Sequence, residues 1–464
     1  MRPLLAAVAV AALLAGCTSM GSSGPSATPP LTAPVTTGTS APASPGPGSV
    51  DWPTYHGTPD RAGVARAMPA VRSDPTVRDA VRLDGAVYAS PIVVGGRTIV
   101  ATENDTVYAL DSAYRQLWRQ HLGAPSPARE RPCGNIDPLG ITGTPISRTS
   151  TGLVFVAAEY GGPARHELVA LDARDGTVRW RRSVDLPGVQ TEAMQQRGAL
   201  AVAGGRVWVP FGGLAGDCGG YKGRLVGVRL DGTGAPLAFT VPTAREGGSW
   251  APPGPSVDAS GHLYIAVGNG ESGPGDPYDH SDSVLELDTQ ARLLDSFSPT
   301  TWASDNVGDL DLGSQGPALV GPWVFIAGKS GIAYVLRRDH LGGIGGQVSQ
   351  APVCVSYGGT AVDGDVVYVP CEDGVRAVRI DAAGAMHPLW RVASDTVTGS
   401  PIVGGGRVWA LDPPAGVLYS LDPRTGALAG QVSVGATSRF ATPAVSGADL
   451  LVPTLVGLTV VRTG

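Results

Sequence analysis

Apolar and polar residues alternate in short runs that recur at a regular spacing through most of the chain. One copy of the pattern reads Ala89-Ser-Pro-Ile-Val-Val-Gly-Gly-Arg-Thr-Ile-Val-Ala, and another reads Gly399-Ser-Pro-Ile-Val-Gly-Gly-Gly-Arg-Val-Trp-Ala. In each copy two apolar runs flank a Gly turn, which predicts a β-hairpin. About eight such copies indicate a repeat architecture. No helical periodicity of any length follows the N-terminal region, so we predict an all-β protein.

Each repeat predicts four strands. The third strand ends in a Leu-Asp-like pair, and the fourth often ends in Trp, as at Trp118, Trp180 and Trp390. Such a unit is a four-stranded antiparallel blade, and eight blades form a ring around a central channel, an eight-bladed β-propeller over residues 51–464. The first strands open at Pro91, Pro145, Ala201, Pro255, Pro317, Ala361, Pro401 and Pro443.

The ends of the repeat array predict how the ring closes. The last repeat, at 441–461, supplies three strands, and residues 76–83 form a lone strand ahead of the first repeat. We expect this N-terminal strand to pair with the last blade, because that pairing removes an exposed sheet edge. We also expect an Asp-x-x-x-Gly turn and the Trp after it to dock neighbouring blades, most clearly in Asp172…Gly176…Trp180.

The N-terminus predicts export. Arg2 precedes a short apolar run at 4–14, and Leu14-Ala-Gly-Cys17 has the form of a lipobox, so residues 1–17 are interpreted as a lipoprotein signal with Cys17 as the lipidated residue. Residues 18–50 are rich in Ser, Thr, Pro and Gly, which is typical of a disordered tether. We therefore expect a protein anchored by lipid to the outer face of the cytoplasmic membrane, in the cell envelope. An ordinary secretory signal with a chance Cys is the alternative.

Composition and charge narrow the function classes. The 66 Gly and 40 Pro, with 16% charged residues, fit short strands and tight turns. A net charge of −6 shows no footprint for nucleic acid, and we expect a monomer. Four cysteines remain after Cys17, an even number that suggests two disulfides in an exported protein. Three pairings are possible; we favour Cys354–Cys371, which lie in one repeat, and Cys133–Cys218.

The blade pattern, with its Leu-Asp…Gly…Trp close, resembles the pyrroloquinoline-quinone (PQQ) propeller repeat. The segment Asp51-Trp-Pro-Thr-Tyr-His-Gly…Arg61-Ala-Gly-Val64 is similar to the one that precedes the first blade in many of these proteins. The resemblance covers about residues 51–464. It implies a PQQ-dehydrogenase-like fold, which hosts both quinoprotein dehydrogenases and non-catalytic assembly-factor propellers.

Five residues match, in chain order, positions that quinoprotein dehydrogenases use. The resemblance implies that Glu159 and Asn269 are Ca²⁺ ligands, and that Asp309 is the general base and a further ligand. It implies that Trp250 stacks on the quinone and that Lys329 contacts the quinone oxygens. Such a set is chemically coherent, because Ca²⁺ prefers carboxylate and amide oxygens and a carboxylate can accept a substrate proton.

Each of these residues also has a structural interpretation. Gly-Asn-Gly and Gly-Lys-Ser-Gly are ordinary turn sequences, Trp250 suits a core, and Asp309 and Asp311 suit loop capping. The sequence also departs from the enzyme pattern. Gly308 stands where a Trp is expected, the adjacent-cysteine pair is absent, and there is no Cys-x-x-Cys-His haem motif.

These observations favour a binding or scaffolding module whose propeller face receives an envelope protein or a small ligand. The alternative is a PQQ- and Ca²⁺-dependent dehydrogenase of an alcohol or a sugar. A calcium-stabilised structural domain is a third possibility. The sequence assigns no cofactor firmly, and PQQ and Ca²⁺ are the possible ones.

Overall fold

The computed structural model describes residues 51–393 and 399–464. The predicted signal, the lipidated Cys17 and the tether lie outside these residues. Within the described ranges, no helix combines the length and the apolarity needed to cross a bilayer.

The strands form eight antiparallel sheets arranged as consecutive blades, which confirms the predicted eight-bladed propeller. Blade 1 consists of Ile92–Val94, Arg97–Ala101, Thr106–Leu110 and Gln116–His121, and blade 2 of Ile146–Arg148, Leu153–Tyr160, Arg165–Asp172 and Val178–Ser183. Blade 3 consists of Ala201–Ala203, Arg206–Gly213, Arg224–Arg229 and Leu237–Thr240, and blade 4 of Ser256–Val257, Leu263–Val267, Ser283–Leu287 and Leu293–Ser298. Blade 5 consists of Ala318–Val320, Trp323–Ala327, Ile332–Arg337 and Ser349–Pro352, and blade 6 of Ala361–Asp363, Val366–Cys371, Gly374–Ile380 and Met386–Ala393. Blade 7 consists of Ile402–Gly404, Arg407–Asp412, Val417–Leu421 and Leu428–Ser433.

Blade 8 closes the ring as the sequence predicts. It takes Ala444–Ser446, Asp449–Thr454 and Gly457–Arg462 from the C-terminus and Thr76–Arg82 from the N-terminus. The N-terminal strand pairs antiparallel with Gly457–Arg462, with Val81 opposite Leu458. The first strands of blades 8 and 1 contact each other, as do those of blades 1 and 2. The ring is therefore continuous, and the short first strands surround the channel.

Few elements stand outside the four-strand pattern. One α-helix, Trp302–Gly308, lies between blades 4 and 5. Three two-residue strands add to blades 7, 3 and 4, at Val64–Ala65, Met194–Gln195 and Gly343–Ile344. Single 3-10 turns occur at Ala128–Glu130, Thr149–Thr151, Thr191–Ala193 and Leu312–Ser314.

The hydrophobic core lies between the faces of neighbouring blades. One buried cluster joins blades 1 and 2 and includes Ile99 and Val156, and equivalent clusters join the following pairs around the ring. The predicted docking of turn and Trp is confirmed at blades 1 and 2. The indole of Trp118 donates to the Ala173 carbonyl at 3.3 Å. It packs against Gly176, where a Cβ would come within 2.5 Å of the ring, so only Gly fits.

Residues 52–65, called the plug below, cross one end of the channel. Their backbone carbonyls accept hydrogen bonds from first strands of four blades: Pro53 from Ser147, Pro59 from Val257, Ala62 from Val362 and Gly63 from Val403. Arg61 is buried and donates to the carbonyls of Leu200 and Pro255. These contacts lie at the middle or the last residue of the first strands, whereas the loops that lead into those strands line the other end of the channel.

Both favoured disulfides are present. Cys133–Cys218 joins the segment between blades 1 and 2 to a loop of blade 3, and Cys354–Cys371 joins the approach to blade 6 to that blade's second strand. The first one supports Leu214, which is buried beside it and lines the cavity described next.

Candidate functional site

A cavity of about 540 Å³ opens at the channel end opposite the plug. Its walls come from loops that join second to third strands within a blade and from loops between consecutive blades, as expected for the functional face of a propeller. Four of the five residues that the resemblance singled out line it. They are Trp250, Asn269, Asp309 and Lys329.

Asp311 is the buried centre of this group. Its side chain is 7% exposed, whereas that of Asp309 is 70% exposed. Asp309 adopts the left-handed conformation (φ 53°) that ends the helix Trp302–Gly308, and the chain then turns Asp311 inward. The carboxylate that the fold presents to the cavity wall is therefore Asp311, although the resemblance pointed to Asp309.

Asp311 is held by three donors. Its Oδ1 accepts the backbone N–H of Asn269 at 2.7 Å and lies 3.5 Å from the indole nitrogen of Trp250. The ammonium of Lys329 lies 2.5 Å from Oδ2 of Asp311 and 2.5 Å from Oδ1 of Asp309. Burial alone would lower the pKa of Lys329, but the charge of Asp311 and both hydrogen bonds outweigh it and raise that pKa. Lys329 is thus the cation that the two carboxylates share, and it offsets one of their two negative charges.

Asn269 links the two carboxylates. Its side-chain nitrogen donates to Oδ1 of Asp309 at 2.8 Å. Its side-chain oxygen is buried and has no hydrogen-bond partner among the described residues. An amide oxygen in that position can accept a donor from a ligand or bind a cation.

Trp250 forms part of the wall beside the pair. It is half-buried, follows the Gly247-Gly248 turn, and has its Cβ packed against Gly212, where any side chain would collide. The ammonium of Lys329 lies 5.9 Å from the centre of its ring, and Phe440 lies 6.1 Å away. The indole is therefore fixed by packing and presents an aromatic surface to the cavity.

Glu159 is placed apart from this group. It is the last residue but one of the strand Leu153–Tyr160, is 2% exposed, and does not line the cavity. His166, on the adjacent strand, places Nε2 3.2 Å from its Oε2 and Nδ1 2.7 Å from Asp185. Burial alone would lower the pKa of His166, but the charge of Glu159 and the hydrogen bond to Asp185 raise it to about 10. Glu159 thus has a buried imidazolium as its partner.

Comparisons with known proteins agree with this architecture. Residues 70–209 match the family model described as outer membrane protein assembly factor BamB. This chain is an eight-bladed β-propeller that is similar to PQQ-like repeat proteins over this segment.

One curated relative with a similar sequence is a dehydrogenase. Polyvinylalcohol dehydrogenase of Sphingopyxis sp. (strain 113P3) is 25% identical over 263 residues, which cover 50% of this chain and 36% of that protein. The chain thus matches about a third of the length of this curated relative.

Two solved structures share the fold. Quinohemoprotein alcohol dehydrogenase of Comamonas testosteroni superposes with a TM-score of 0.68 at 17% identity, covering 89% of this chain and 80% of that one. BamB of Moraxella catarrhalis superposes with a TM-score of 0.57 at 18% identity, covering 84% and 98%. At these identities the likeness shows the fold alone.

The residues present do not fit a calcium ion of the kind that the resemblance implies. Asp309 and Asp311 already share the ammonium of Lys329, and Glu159 already has His166. Among the described residues, no group of three or more carboxylates, histidines or cysteines is arranged to hold a metal ion. A divalent cation would have to displace Lys329 and would still lack Glu159. Among the described residues that the resemblance names in the cavity, Asn269 has a buried side-chain oxygen without a hydrogen-bond partner.

Sequence reasoning missed the cationic and aromatic residues on the far side of the cavity. Arg197 precedes the first strand of blade 3, and Arg439 and Phe440 precede that of blade 8. Tyr357 lies in the equivalent position before blade 6. All four lie in loops between blades, which were already expected to face the mouth. A search for charged or aromatic residues just before each strand opening would have found them.

Proposed function

We propose that this PQQ-like propeller is a non-catalytic binding module, whose mouth cavity receives a small ligand. The observation that carries the proposal is the ion pairing of Lys329 with both Asp309 and Asp311. A general base needs a free carboxylate near a bound substrate. Here the buried carboxylate is neutralised and held by Asn269 and Lys329, which makes it a fixed part of a binding wall.

The shape and chemistry of the cavity support a small ligand over a flat protein contact. A concave site with a few fixed polar groups and aromatic walls is typical of small-molecule binding. Trp250, Tyr357 and Phe440 supply the aromatic surface, and Arg439 lies 4.1 Å above the ring of Tyr357. An envelope protein bound across the propeller face is the other partner class that the sequence allows.

We also propose that the protein acts outside the cytoplasm, on a lipid anchor at Cys17. The lipobox at 14–17 supports this placement. Two disulfides support it too, because such bonds persist in oxidising compartments.

A redox assay tests the non-catalytic part of the proposal. Purified protein is mixed with PQQ and CaCl₂, and reduction of an artificial electron-acceptor dye is followed with a panel of alcohols and aldoses. We expect no reduction above the protein-free rate. Turnover that is lost in Asp311→Asn or in Asp309→Asn and kept in the surface variant Asp231→Asn would overturn the proposal.

The alternative, a quinone-dependent alcohol or sugar dehydrogenase, is favoured by one specific observation. Trp250, Asn269 and Lys329 come from three separate loops and still converge on one cavity. Calorimetry with PQQ separates the two functions further. A dehydrogenase requires binding that strengthens with Ca²⁺ and is lost in Trp250→Ala. A binding module without this cofactor shows neither effect.

A further inference from the structure

Below the mouth cavity the channel narrows into a throat that ends at the plug. The throat has room for about 20 Å³, which is one water-sized group. Arg197 lines both the cavity and the throat and is the single charged side chain among the residues that line the throat. The others carry hydroxyls or apolar surface and include Tyr88, Ser90, Thr144, Ser438 and Phe440.

Arg197 lacks a counter-ion. No described carboxylate lies within ion-pair distance of its guanidinium, and no described residue accepts a hydrogen bond from it. Its contact is with the ring of Phe440, whose centre lies 5.1 Å from Cζ. Burial lowers the pKa of Arg197, with the charge of Glu103 acting against that effect. Removing a guanidinium from water without an ion pair or a hydrogen bond in exchange costs free energy.

A second guanidinium raises the cost of this arrangement. Arg439 lies 5.6 Å from the same Phe440 ring and pairs with Glu372 at the surface. Two like charges on one aromatic ring repel each other. The nearby Glu103 offsets this charge only in part. Burial raises the pKa of its carboxyl to about 7, so it is only partly ionised at neutral pH. Its Oε2 accepts hydrogen bonds from the N–H of Gly140 and the hydroxyl of Thr142, and its Oε1 has no hydrogen-bond partner among the described residues. The charge of Arg197 is therefore only partly compensated.

Hydroxyl donors surround this charge. Thr437 Oγ1 and Ser438 Oγ are buried, at 6% and 5% residue exposure, and neither has a hydrogen-bond partner among the described residues. Thr437 lines the cavity, and Ser438 lines both the cavity and the throat, beside Arg197. A guanidinium and two free hydroxyls give the donor set that binds an oxyanion.

We propose that Arg197, Thr437 and Ser438 form an oxyanion site, which takes a carboxylate or phosphate at the buried end of a ligand seated in the mouth cavity. The inference rests on the proposed binding function and names the ligand class. The anionic head lies at the entrance of the throat, where Arg197 and Ser438 line both the throat and the cavity, and the body of the ligand stays in the cavity.

The test uses purified full-length protein in detergent, with sodium phosphate and sodium acetate as probes and sodium chloride at matched ionic strength as the reference. A ligand that binds only the folded state raises the melting temperature. We expect phosphate or acetate to raise it above the chloride reference, and the larger rise identifies which oxyanion the site prefers. Equal melting temperatures in all three salts would overturn the proposal.

Variants assign the effect to the residues. We expect Arg197→Gln to weaken phosphate or acetate binding about tenfold or more, which corresponds to ~1.4 kcal/mol. Arg115→Gln, a surface arginine outside the cavity that pairs with Asp111, should stay within about twofold. Thr437→Val with Ser438→Ala should weaken binding as well. Unchanged binding of phosphate and acetate in Arg197→Gln would refute the proposal.

A second measurement addresses folding. Without added oxyanion, Arg197→Gln should melt at the same or a higher temperature than the wild type, because an unpaired charge is removed. A lower melting temperature would mean that Arg197 supports the fold, and it would contradict the proposal. Dye reduction in the redox assay would refute the non-catalytic function and leave this site standing. Equal melting temperatures in phosphate, acetate and chloride would refute the oxyanion site and leave the non-catalytic function standing.

Discussion

The pair of Glu159 and His166 offers the sharpest test of how this propeller differs from a calcium-dependent one. Both side chains are buried, and His166 also contacts Asp185 at 2.7 Å. We expect His166→Gln to lower the free energy of unfolding at neutral pH by about 3–5 kcal/mol, because it leaves the Glu159 carboxylate buried without a cation.

The pH dependence gives an independent estimate of the same magnitude. The pKa of His166 rises from 6.5 to about 10 on folding, which corresponds to about 5 kcal/mol. Because the folded pKa is the higher one, this stabilisation is complete below pH 6.5 and is lost as the pH rises through about 10. The double variant Glu159→Gln with His166→Gln should lack this loss and should recover part of the neutral-pH stability, since no buried charge stays unpaired.

Urea unfolding of the wild type, both single variants and the double variant at neutral pH and near pH 10 provides the measurement. Subtracting the double-variant curve from the wild-type curve removes the titrations of groups that do not sense Glu159 or His166. Asp105, whose pKa burial raises to about 9, senses the charge of Glu159, so the same four proteins are also compared in an Asp105→Asn background. His387→Gln, which breaks an exposed pair with Asp381, is the control and should cost less than about 1 kcal/mol.

Two results would refute this reasoning. One is a His166→Gln variant as stable as the wild type at neutral pH. The other is a calcium-dependent rise in melting temperature that Glu159→Gln abolishes, which would return Glu159 to the ligand role that the family resemblance implies.

Three further predictions follow from the fold. Replacing both cysteines of the disulfide that spans 85 residues should lower stability by up to about 4.5 kcal/mol in urea unfolding, because a long loop is released in the unfolded chain. Val81→Asp, in the closing strand and packed on the core, should cost about 1–3 kcal/mol and speed hydrogen exchange at 457–462. Val77→Asp in the same strand, where the residue is 46% exposed, should change neither the free energy of unfolding nor hydrogen exchange at 457–462. Arg61→Ala should lower the urea midpoint through a loss of about 2–3 kcal/mol, because buried carbonyls of Leu200 and the blade 4 approach lose their donor.

The sequence predicted the fold well because propeller blades are local units. Strands, turns and the docking of Trp118 on Gly176 all depend on residues close together in the chain or one repeat apart. Closure by Thr76–Arg82 is a long-range contact, yet the missing fourth strand of the last repeat predicted it, since an open sheet edge demands a partner.

The site was predicted in part. Trp250, Asn269 and Lys329 meet where the loop positions indicated. The inward carboxylate is Asp311, because the left-handed turn at Asp309 ends a helix that the repeat pattern did not indicate. Glu159 pairs with a histidine seven residues away, on the next strand of its own blade. A family motif cannot predict that pairing, because it depends on which strand faces are buried.

By itself, then, the sequence determined the number of blades and the closing strand, because the repeat period and the strand order set both. It left three disulfide pairings open, and the favoured one is present in the structure. Only the tertiary structure decided the electrostatics of that site. Lys329 forms ion pairs with both Asp309 and Asp311, and Arg197 has no hydrogen-bond or ion-pair partner among the described residues, because the folded loops set which charges lie close together. Charge pairing depends on distance in space, and the spacing of residues along the chain does not record it.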